Sequence, residues 1–131
     1  YPHAVGMNNH RGSKATSDRH VMEAVMDELA LSGIPFIDSR TSRTSVAYRT
    51  ALEKGVPALY NSIFLDNEDG EDEIENMFIR AKEMAERKGW VIAICHLRPD
   101  TVSFLKKLCI NGDNEVEFVT VPELFKALRA E

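Results

Sequence analysis

The chain has 131 residues, a formal net charge of −5, 44% hydrophobic residues and 28% charged residues. This length allows one domain with a buried core, and the composition is ordinary for a globular protein. The negative charge offers no basic surface to nucleic acid, and no apolar stretch approaches the ~20 residues that a membrane-spanning helix needs. We therefore predict one domain over residues 1–131, with no nucleic-acid partner and no membrane span.

Segments typical of strands alternate with segments typical of helices, which favours a parallel α/β architecture of about five β-α units. Apolar runs predict the strands, and apolar residues at helical spacing predict the helices. In chain order, the predicted elements are a strand within 4–13, a helix around 21–29, a strand over 34–38, a weaker helix over about 44–54, an extended segment over 56–65, a helix around 74–85, a strand over 90–94, a helix around 102–108, a strand over 116–119 and a terminal helix.

Local signals predict where several helices begin and end. Ser17 or Asp18 is expected to cap the first long helix, and Gly33 is expected to end it. Asp100 is expected to cap the helix that follows the fourth apolar run. Residues 120–123 have the pattern of a capping box at the start of the terminal helix.

Four apolar runs end in polar clusters: AVGMNNHRGS (4–13), IPFIDSRTS (34–42), SIFLDN (62–67) and VIAICHLRP (91–99). In a parallel sheet wound with helices, the residues just past the carboxyl ends of the strands converge on one rim. The side chains predicted to share this rim are Asn9, His10, Asp38, Arg40, Asp66, Asn67 and His96. Imidazoles, carboxylates and a guanidinium on one rim are typical of a hydrolytic or metal site.

The two histidines of this rim have different settings. His10 lies between two asparagines and a Gly-Ser turn, where a neutral imidazole could ligate a metal while an amide or hydroxyl orients the ring. The alternative is a loop histidine that hydrogen-bonds to backbone. His96 directly follows a strand, where it could be a general acid or a second ligand. Arg98 beside it could bind an anion or shape the loop.

The remaining polar residues also allow more than one interpretation. Asp38 and Arg40 either hold a turn together, or Arg40 holds a carboxylate base or an oxyanion in its planar fork. Asp66 and Asn67 could bind a sugar hydroxyl, contribute to a cation site or cap the next helix.

The ordered motifs AVGMNNHRGS, FIDSRTS, GVP followed by IFLDN, and IAICHLRPDT resemble the divergent polysaccharide deacetylase family over nearly the whole chain. The resemblance implies a parallel-stranded, distorted (β/α) barrel, of which this chain would form the C-terminal portion. It also implies a divalent metal ion, with Zn²⁺ as the first candidate. Such enzymes remove N- or O-acetyl groups from polysaccharides with a metal-activated water.

The resemblance also implies roles for individual residues. His10 would be a metal ligand, and the catalytic residues would be His96, Asp38 and Arg40. The substrate-binding residues would be Asn9, Asp66, Asn67 and Arg98. The implied partners are an acetylated polysaccharide or oligosaccharide and the N-terminal half of the same protein, which would supply an aspartate pair. An exported or cell-envelope-facing location follows from the same resemblance.

Two other functions remain open. The first is a protein of the same fold that binds envelope glycans without turnover. The second is a receiver-like signalling domain of similar length, in which Asp38 would accept a phosphoryl group. That fold needs an acidic pair after its first strand and a lysine after its last, whereas this chain has Asn8, Asn9 and Thr120 at those places.

Overall fold

A computed structural model describes residues 3–113 and 115–130 of the chain. These residues form two compact units, one within Tyr1–Tyr60 and Val119–Glu131 and the other within Asn61–Phe118. Each unit contains a sheet of parallel strands with helices. The predicted α/β class with parallel strands is therefore confirmed. None of the described helices is long and apolar enough to cross a membrane.

The elements alternate much as the sequence predicts, but the strands are shorter. In chain order they are β1 (Met7–Asn8), α1 (Ser13–Thr16), α2 (Arg19–Ser32), β2 (Phe36–Asp38), α3 (Ala47–Glu53), β3 (Ala58–Tyr60), β4 (Ile63–Phe64), α4 (Glu71–Lys88), β5 (Ala93–Ile94), α5 (Pro99–Asn111) and α6 (Val121–Arg129).

The first unit has a three-stranded parallel sheet in the order β1-β2-β3. Phe36 in the central strand pairs with Met7 on one side and with Ala58 on the other. Phe36 is also buried in a cluster with Met26 of α2 and Ala51 of α3, so both helices pack their apolar faces on the sheet. This packing holds the loops after β1 and β2 next to each other.

The second unit has a two-stranded parallel sheet, in which β4 pairs with β5. Ile74 and Ala81 on α4 are buried together with Phe104 on α5. The ring of Phe104 meets that of Phe78 edge to face, with 5.5 Å between the ring centroids. The acidic residues in the first turn of α4 oppose the positive end of the helix dipole, as the sequence predicts.

Two helix boundaries follow the local signals. Asp18 caps α2, because its carboxylate accepts hydrogen bonds from two backbone N–H groups in the first turn, and Gly33 ends α2 in the left-handed conformation. Thr120 and Glu123 form the predicted capping box of α6. Asp100 does not cap α5, since Arg98 occupies the N-cap position and Asp100 lies in the first helical turn.

The first apolar run is not the buried strand that was predicted. Only Met7 and Asn8 pair with β2, and they do so at an edge of the three-stranded sheet. Val5, in the same run, is 65% exposed. An edge strand has one neighbour instead of two, which leaves less of its surface covered.

The segment 56–65 was predicted as one extended segment and forms two strands. β3 belongs to the sheet of the first unit, and β4 belongs to the sheet of the second. Between them, the side chain of Asn61 accepts a hydrogen bond from the backbone N–H of Ile63 at 3.3 Å. Such local side-chain bonds offer the backbone an alternative to a sheet ladder.

The predicted strand over 116–119 is wrong, since no strand follows β5 in the described part of the chain. The Asp113 carboxylate accepts hydrogen bonds from the backbone N–H groups of Glu115 at 2.8 Å and Val116 at 3.2 Å. The backbone N–H groups at the start of this segment therefore bond to a neighbouring side chain instead of to another strand. Apolar alternation alone did not reveal this competition.

Candidate functional site

The second unit brings Asp66 and His96 into contact. Because β4 and β5 are parallel and in register, with Phe64 opposite Ile94, the residues two positions beyond each strand lie at the same end of the sheet. An Asp66 oxygen lies 3.0 Å from Nδ1 of His96. The other oxygen accepts hydrogen bonds from the His96 backbone N–H at 2.6 Å and from the Thr101 hydroxyl at 2.9 Å.

Burial and partners determine the charge of this carboxylate. Asp66 is 1% exposed, and burial by itself raises its pKa. The hydrogen bonds from the His96 backbone, the His96 ring and the Thr101 hydroxyl together outweigh burial, so that the pKa of Asp66 lies below its ordinary value. The carboxylate is therefore ionised at neutral pH and acts only as an acceptor.

An ionised Asp66 defines the tautomer of His96. A carboxylate can only accept, so the ring nitrogen that faces it, Nδ1, carries a proton. Nε2 then has the free lone pair of the neutral ring. The His96 side chain is 51% exposed, so Nε2 is open to a ligand or a substrate. This arrangement allows acid-base chemistry or metal ligation at Nε2.

Arg98 closes one side of this group. Its Nη1 donates to the backbone carbonyl of Asp66 at 2.7 Å and to the carboxylate of the exposed Asp69 at 3.2 Å. A cavity of about 200 Å³ lies beside these residues. Through these contacts Arg98 shapes the loop and keeps a cation at the cavity wall.

Asn67, in the same loop, is exposed and does not cap α4, whose N-cap residue is Gly70.

Cys95 is adjacent in sequence to His96 but is not activated. Burial is the main cause that raises the pKa of its thiol, and the Asp66 carboxylate adds to the shift. The thiolate, which is the nucleophilic form, is therefore disfavoured.

In the first unit, the loops after β1 and β2 are joined through Asn9. Its side-chain oxygen accepts from the Ser39 N–H at 2.8 Å, and its backbone carbonyl accepts from the Ser39 hydroxyl at 2.7 Å. The side-chain amide of Asn8 donates to the same hydroxyl at 3.3 Å. Nδ2 of Asn9 is buried and has no hydrogen-bond partner among the described residues. These amides thus bind the second loop rather than orient a histidine ring.

Asp38 is 1% exposed at the end of β2 and holds the loop that follows it. One oxygen accepts from the Arg40 N–H at 2.8 Å. The other accepts from the Ser45 hydroxyl at 2.8 Å and from the Tyr48 N–H at 3.2 Å. With both oxygens used in this way, Asp38 acts in this structure as a positioning residue.

Arg40 projects from that loop onto aromatic rings. Its Cζ atom lies 3.4 Å from the ring centroid of Tyr60 and 5.6 Å from that of Tyr48. Its backbone is in the left-handed region, with φ of 48°. These cation–π contacts hold the guanidinium in place.

His10 is exposed and makes no hydrogen bond with any residue that the structure describes. Arg11, next to it, has a left-handed backbone with φ of 50°. Among residues 3–113 and 115–130, no three His, Cys, Asp or Glu side chains are grouped so as to hold a metal ion. His10 can therefore contribute one ligand, but these residues do not complete a metal site.

The predicted rim residues fall into two groups, one in each unit. Several contacting residues were not anticipated by sequence reasoning: Ser39, Ser45, Tyr48, Tyr60 and Thr101. Thr101 gives the clearest local signal, because a hydroxyl in the first turn of a helix after a strand-end histidine can face back toward the strand ends. The two tyrosines gave no local signal.

The chain has recognisable relatives. A family model described as divergent polysaccharide deacetylase matches residues 1–125. The chain is 38% identical over 123 residues to the uncharacterized protein YibQ of Escherichia coli K12. It is 37% identical over 123 residues to an uncharacterized protein of Haemophilus influenzae Rd. Each alignment covers 94% of this chain but only 39% and 44% of those proteins, so the chain spans less than half the length of these relatives.

A solved structure has a similar fold. The crystal structure of the uncharacterized protein ATU2773 from Agrobacterium tumefaciens C58 matches with a TM-score of 0.85 at 23% sequence identity. The match covers 92% of this chain and 49% of that protein. At this level of identity, the likeness shows a shared fold.

Proposed function

The chain belongs to the divergent polysaccharide deacetylase family, and we propose that it forms part of a carbohydrate deacetylase-like hydrolase of carbohydrate metabolism. The proposed reaction is the hydrolysis of an N- or O-acetyl group on a polysaccharide or oligosaccharide, with release of acetate. The complete protein would have the family's (β/α) barrel, to which this chain contributes the C-terminal portion. An exported or cell-envelope-facing location is part of the same proposal.

The observation that carries the proposal is the buried Asp66 carboxylate, which orients the half-exposed ring of His96. When an acetyl group is hydrolysed, water adds to the carbonyl carbon and gives up a proton to a base, which the aspartate pair outside this chain would supply. The leaving amine or alkoxide takes up a proton as its bond to that carbon breaks. A protonated His96 donates this proton from Nε2, and the Asp66 charge stabilises the imidazolium. In this proposal Asn67 and Arg98 bind the sugar near the leaving group. Arg40 binds substrate from the loop that Asn9 and Asp38 hold in place.

We also propose a divalent ion, with Zn²⁺ as the first candidate and His10 as one ligand. The described residues do not form a complete ligand set by themselves. Further ligands would have to come from the part of the full-length protein outside this chain. The ion would supply an activated water.

The test of the metal proposal is the metal content of the full-length protein after His10→Ala. Bound Zn²⁺, measured by elemental analysis, should fall to a small fraction of the wild-type content. His20→Ala is the matched control, because His20 is also exposed, on the first turn of α2. Equal metal content in the His10→Ala and wild-type proteins would rule out His10 as a ligand.

The test of the catalytic proposal is His96→Gln in the full-length protein. Acetate release from an acetylated oligosaccharide should fall by ~10²–10⁴-fold while metal content stays constant, which is the usual weight of one acid-base group. A parallel loss of metal and activity would make His96 a ligand instead. Turnover within a factor of two of wild type would refute the proposed role.

A second candidate function is glycan binding without turnover. It would follow if the rest of the full-length protein supplies neither the further metal ligands nor the aspartate pair. In that case the wild-type full-length protein would be retained on an immobilised acetylated polymer but would release no acetate from it.

A further inference from the structure

Arg40 and two tyrosines of the first unit form an arrangement whose ligand group the proposed deacetylation does not specify. We propose that Arg40, supported by Tyr60 and Tyr48, binds a carboxylate group of the ligand, so that the glycan recognised by this protein is an acidic one. That the ligand is a glycan rests on the proposed function, whereas binding of the carboxylate is tested without any turnover.

The geometry presents the guanidinium to a ligand. A distance of 3.4 Å between Cζ of Arg40 and the Tyr60 centroid is van der Waals contact, which a guanidinium reaches by lying flat on the ring. The Tyr48 ring meets that of Tyr60 edge to face at 4.9 Å and supports it. A guanidinium stacked in this way keeps its N–H groups in its own plane, directed outward from the ring.

Those N–H groups have no acidic partner among the residues that the structure describes. Within residues 3–113 and 115–130, the Arg40 guanidinium forms neither an ion pair nor a hydrogen bond. Arg19 in the same unit shows the usual alternative, since it pairs with Glu23 at 2.9 Å and with Glu53 at 2.6 Å. Arg40 therefore has its charge-assisted hydrogen bonds available for an anion.

The backbone at Arg40 is held in an unusual conformation. A φ of 48° is unfavourable for residues with a Cβ, and glycine or asparagine is the usual occupant of such a turn. The Asp38 carboxylate holds this conformation by accepting the Arg40 N–H at 2.8 Å. The Arg40 side chain therefore leaves the loop from a fixed backbone position.

Charge and shape favour a carboxylate on a sugar. Residues 1–60 contain seven Lys and Arg against six Asp and Glu, whereas residues 61–118 contain seven against thirteen. Residues 1–60 are therefore nearly neutral and repel an anionic ligand less than the strongly acidic residues 61–118 do. A planar guanidinium matches a carboxylate with two parallel hydrogen bonds, so Arg40 suits a carboxylate on a sugar.

The test is isothermal titration calorimetry of the full-length protein with trigalacturonate at low salt. Arg40→Gln should weaken binding at least 10-fold, because it removes a charge-assisted bidentate contact. Arg40→Lys should weaken binding several-fold, since lysine keeps the charge but lacks the fork. Arg43→Gln is the matched control: Arg43 is exposed in the same loop, its loss changes net charge equally, and binding should change less than twofold.

Each remaining outcome is decisive. Absence of binding by the wild type, or equal losses in Arg40→Gln and Arg43→Gln, would overturn the proposal. Equal affinity for neutral maltotriose would show that the carboxylate is not recognised. Binding of inorganic phosphate through Arg40 without binding of trigalacturonate would make this a phosphate site instead. Circular dichroism establishes that the variants are folded.

The same measurement separates this proposal from the proposed function. If His96→Gln abolishes turnover in the full-length protein yet trigalacturonate still binds, carboxylate binding does not depend on catalysis.

Discussion

Two buried aspartates stand at the ends of parallel strands, one in each unit, and they are used differently. Asp38 and Asp66 are both 1% exposed. Asp38 accepts hydrogen bonds only from the loop that follows it and from the start of α3. Asp66 accepts from a titratable ring, that of His96, whose other nitrogen is open. Both aspartates are thus buried at a strand end, but Asp38 anchors a loop whereas Asp66 belongs to a candidate catalytic pair. The residues that donate to each carboxylate distinguish the two roles.

The largest expected effect that separates the two aspartates comes from Asp66→Asn. The amide can donate to Nδ1, which favours the opposite tautomer of His96, and it no longer stabilises the imidazolium. Acetate release by the full-length protein should fall ~10²–10⁴-fold. In the 131-residue chain, ¹⁵N NMR of the His96 ring should show the proton on Nδ1 in the wild type and on Nε2 in the variant.

The control for this change is Asp72→Asn, which removes an equal charge from an exposed position on α4. It should alter neither the His96 tautomer nor turnover. An unchanged tautomer in Asp66→Asn would contradict the orienting role of Asp66 and would make the two buried aspartates equivalent.

The next effect is on stability, and it concerns Asp38. In Asp38→Asn, an amide N–H would face the Ser45 hydroxyl and the Tyr48 N–H, leaving buried donors unsatisfied. The free energy of unfolding should fall by ~1–3 kcal/mol, measured by urea denaturation. Ser45→Ala should also lower it, because it removes the hydrogen bond to Asp38 and the one that the hydroxyl accepts from the Ala47 N–H at 3.3 Å. If Asp38→Asn leaves the urea midpoint unchanged, Asp38 does not anchor the loop.

The smallest effect is on the pH dependence of stability. The pKa of Asp66 in the folded protein lies below its ordinary value near 3.8, so its ionised form stabilises the fold above that pH. This contribution is lost as the pH falls through the lower, folded-state pKa. The wild type should therefore lose stability more steeply in acid than Asp66→Asn does, as followed by circular dichroism between pH 5 and pH 2, a window set to span roughly that range.

Thr101→Val sharpens the same measurement, since it removes one hydrogen bond that lowers the pKa of Asp66. The acid transition of this variant should move to higher pH than that of the wild type. Identical acid transitions in all three proteins would show that Asp66 contributes no pH-dependent stability.

The sequence by itself determined features that depend on a few neighbouring residues or on one repeated pattern. Asp18 as a cap, Gly33 as a helix end and the capping box over 120–123 need only local hydrogen bonds and backbone preferences. The alternation of apolar segments was sufficient for the α/β class with parallel strands. Parallel register then made Asp66 and His96 neighbours, because both follow strands that pair.

Only the tertiary structure decided which backbone groups and side chains find partners far along the chain. The split of 56–65 into two sheets and the loss of the strand over 116–119 depend on side chains that take backbone donors before a neighbouring strand can. Likewise, whether a strand-end aspartate holds a loop or orients a histidine depends on which donors the packed helices bring to it. Residue type and spacing do not encode those distances, since they arise from burial of the whole core.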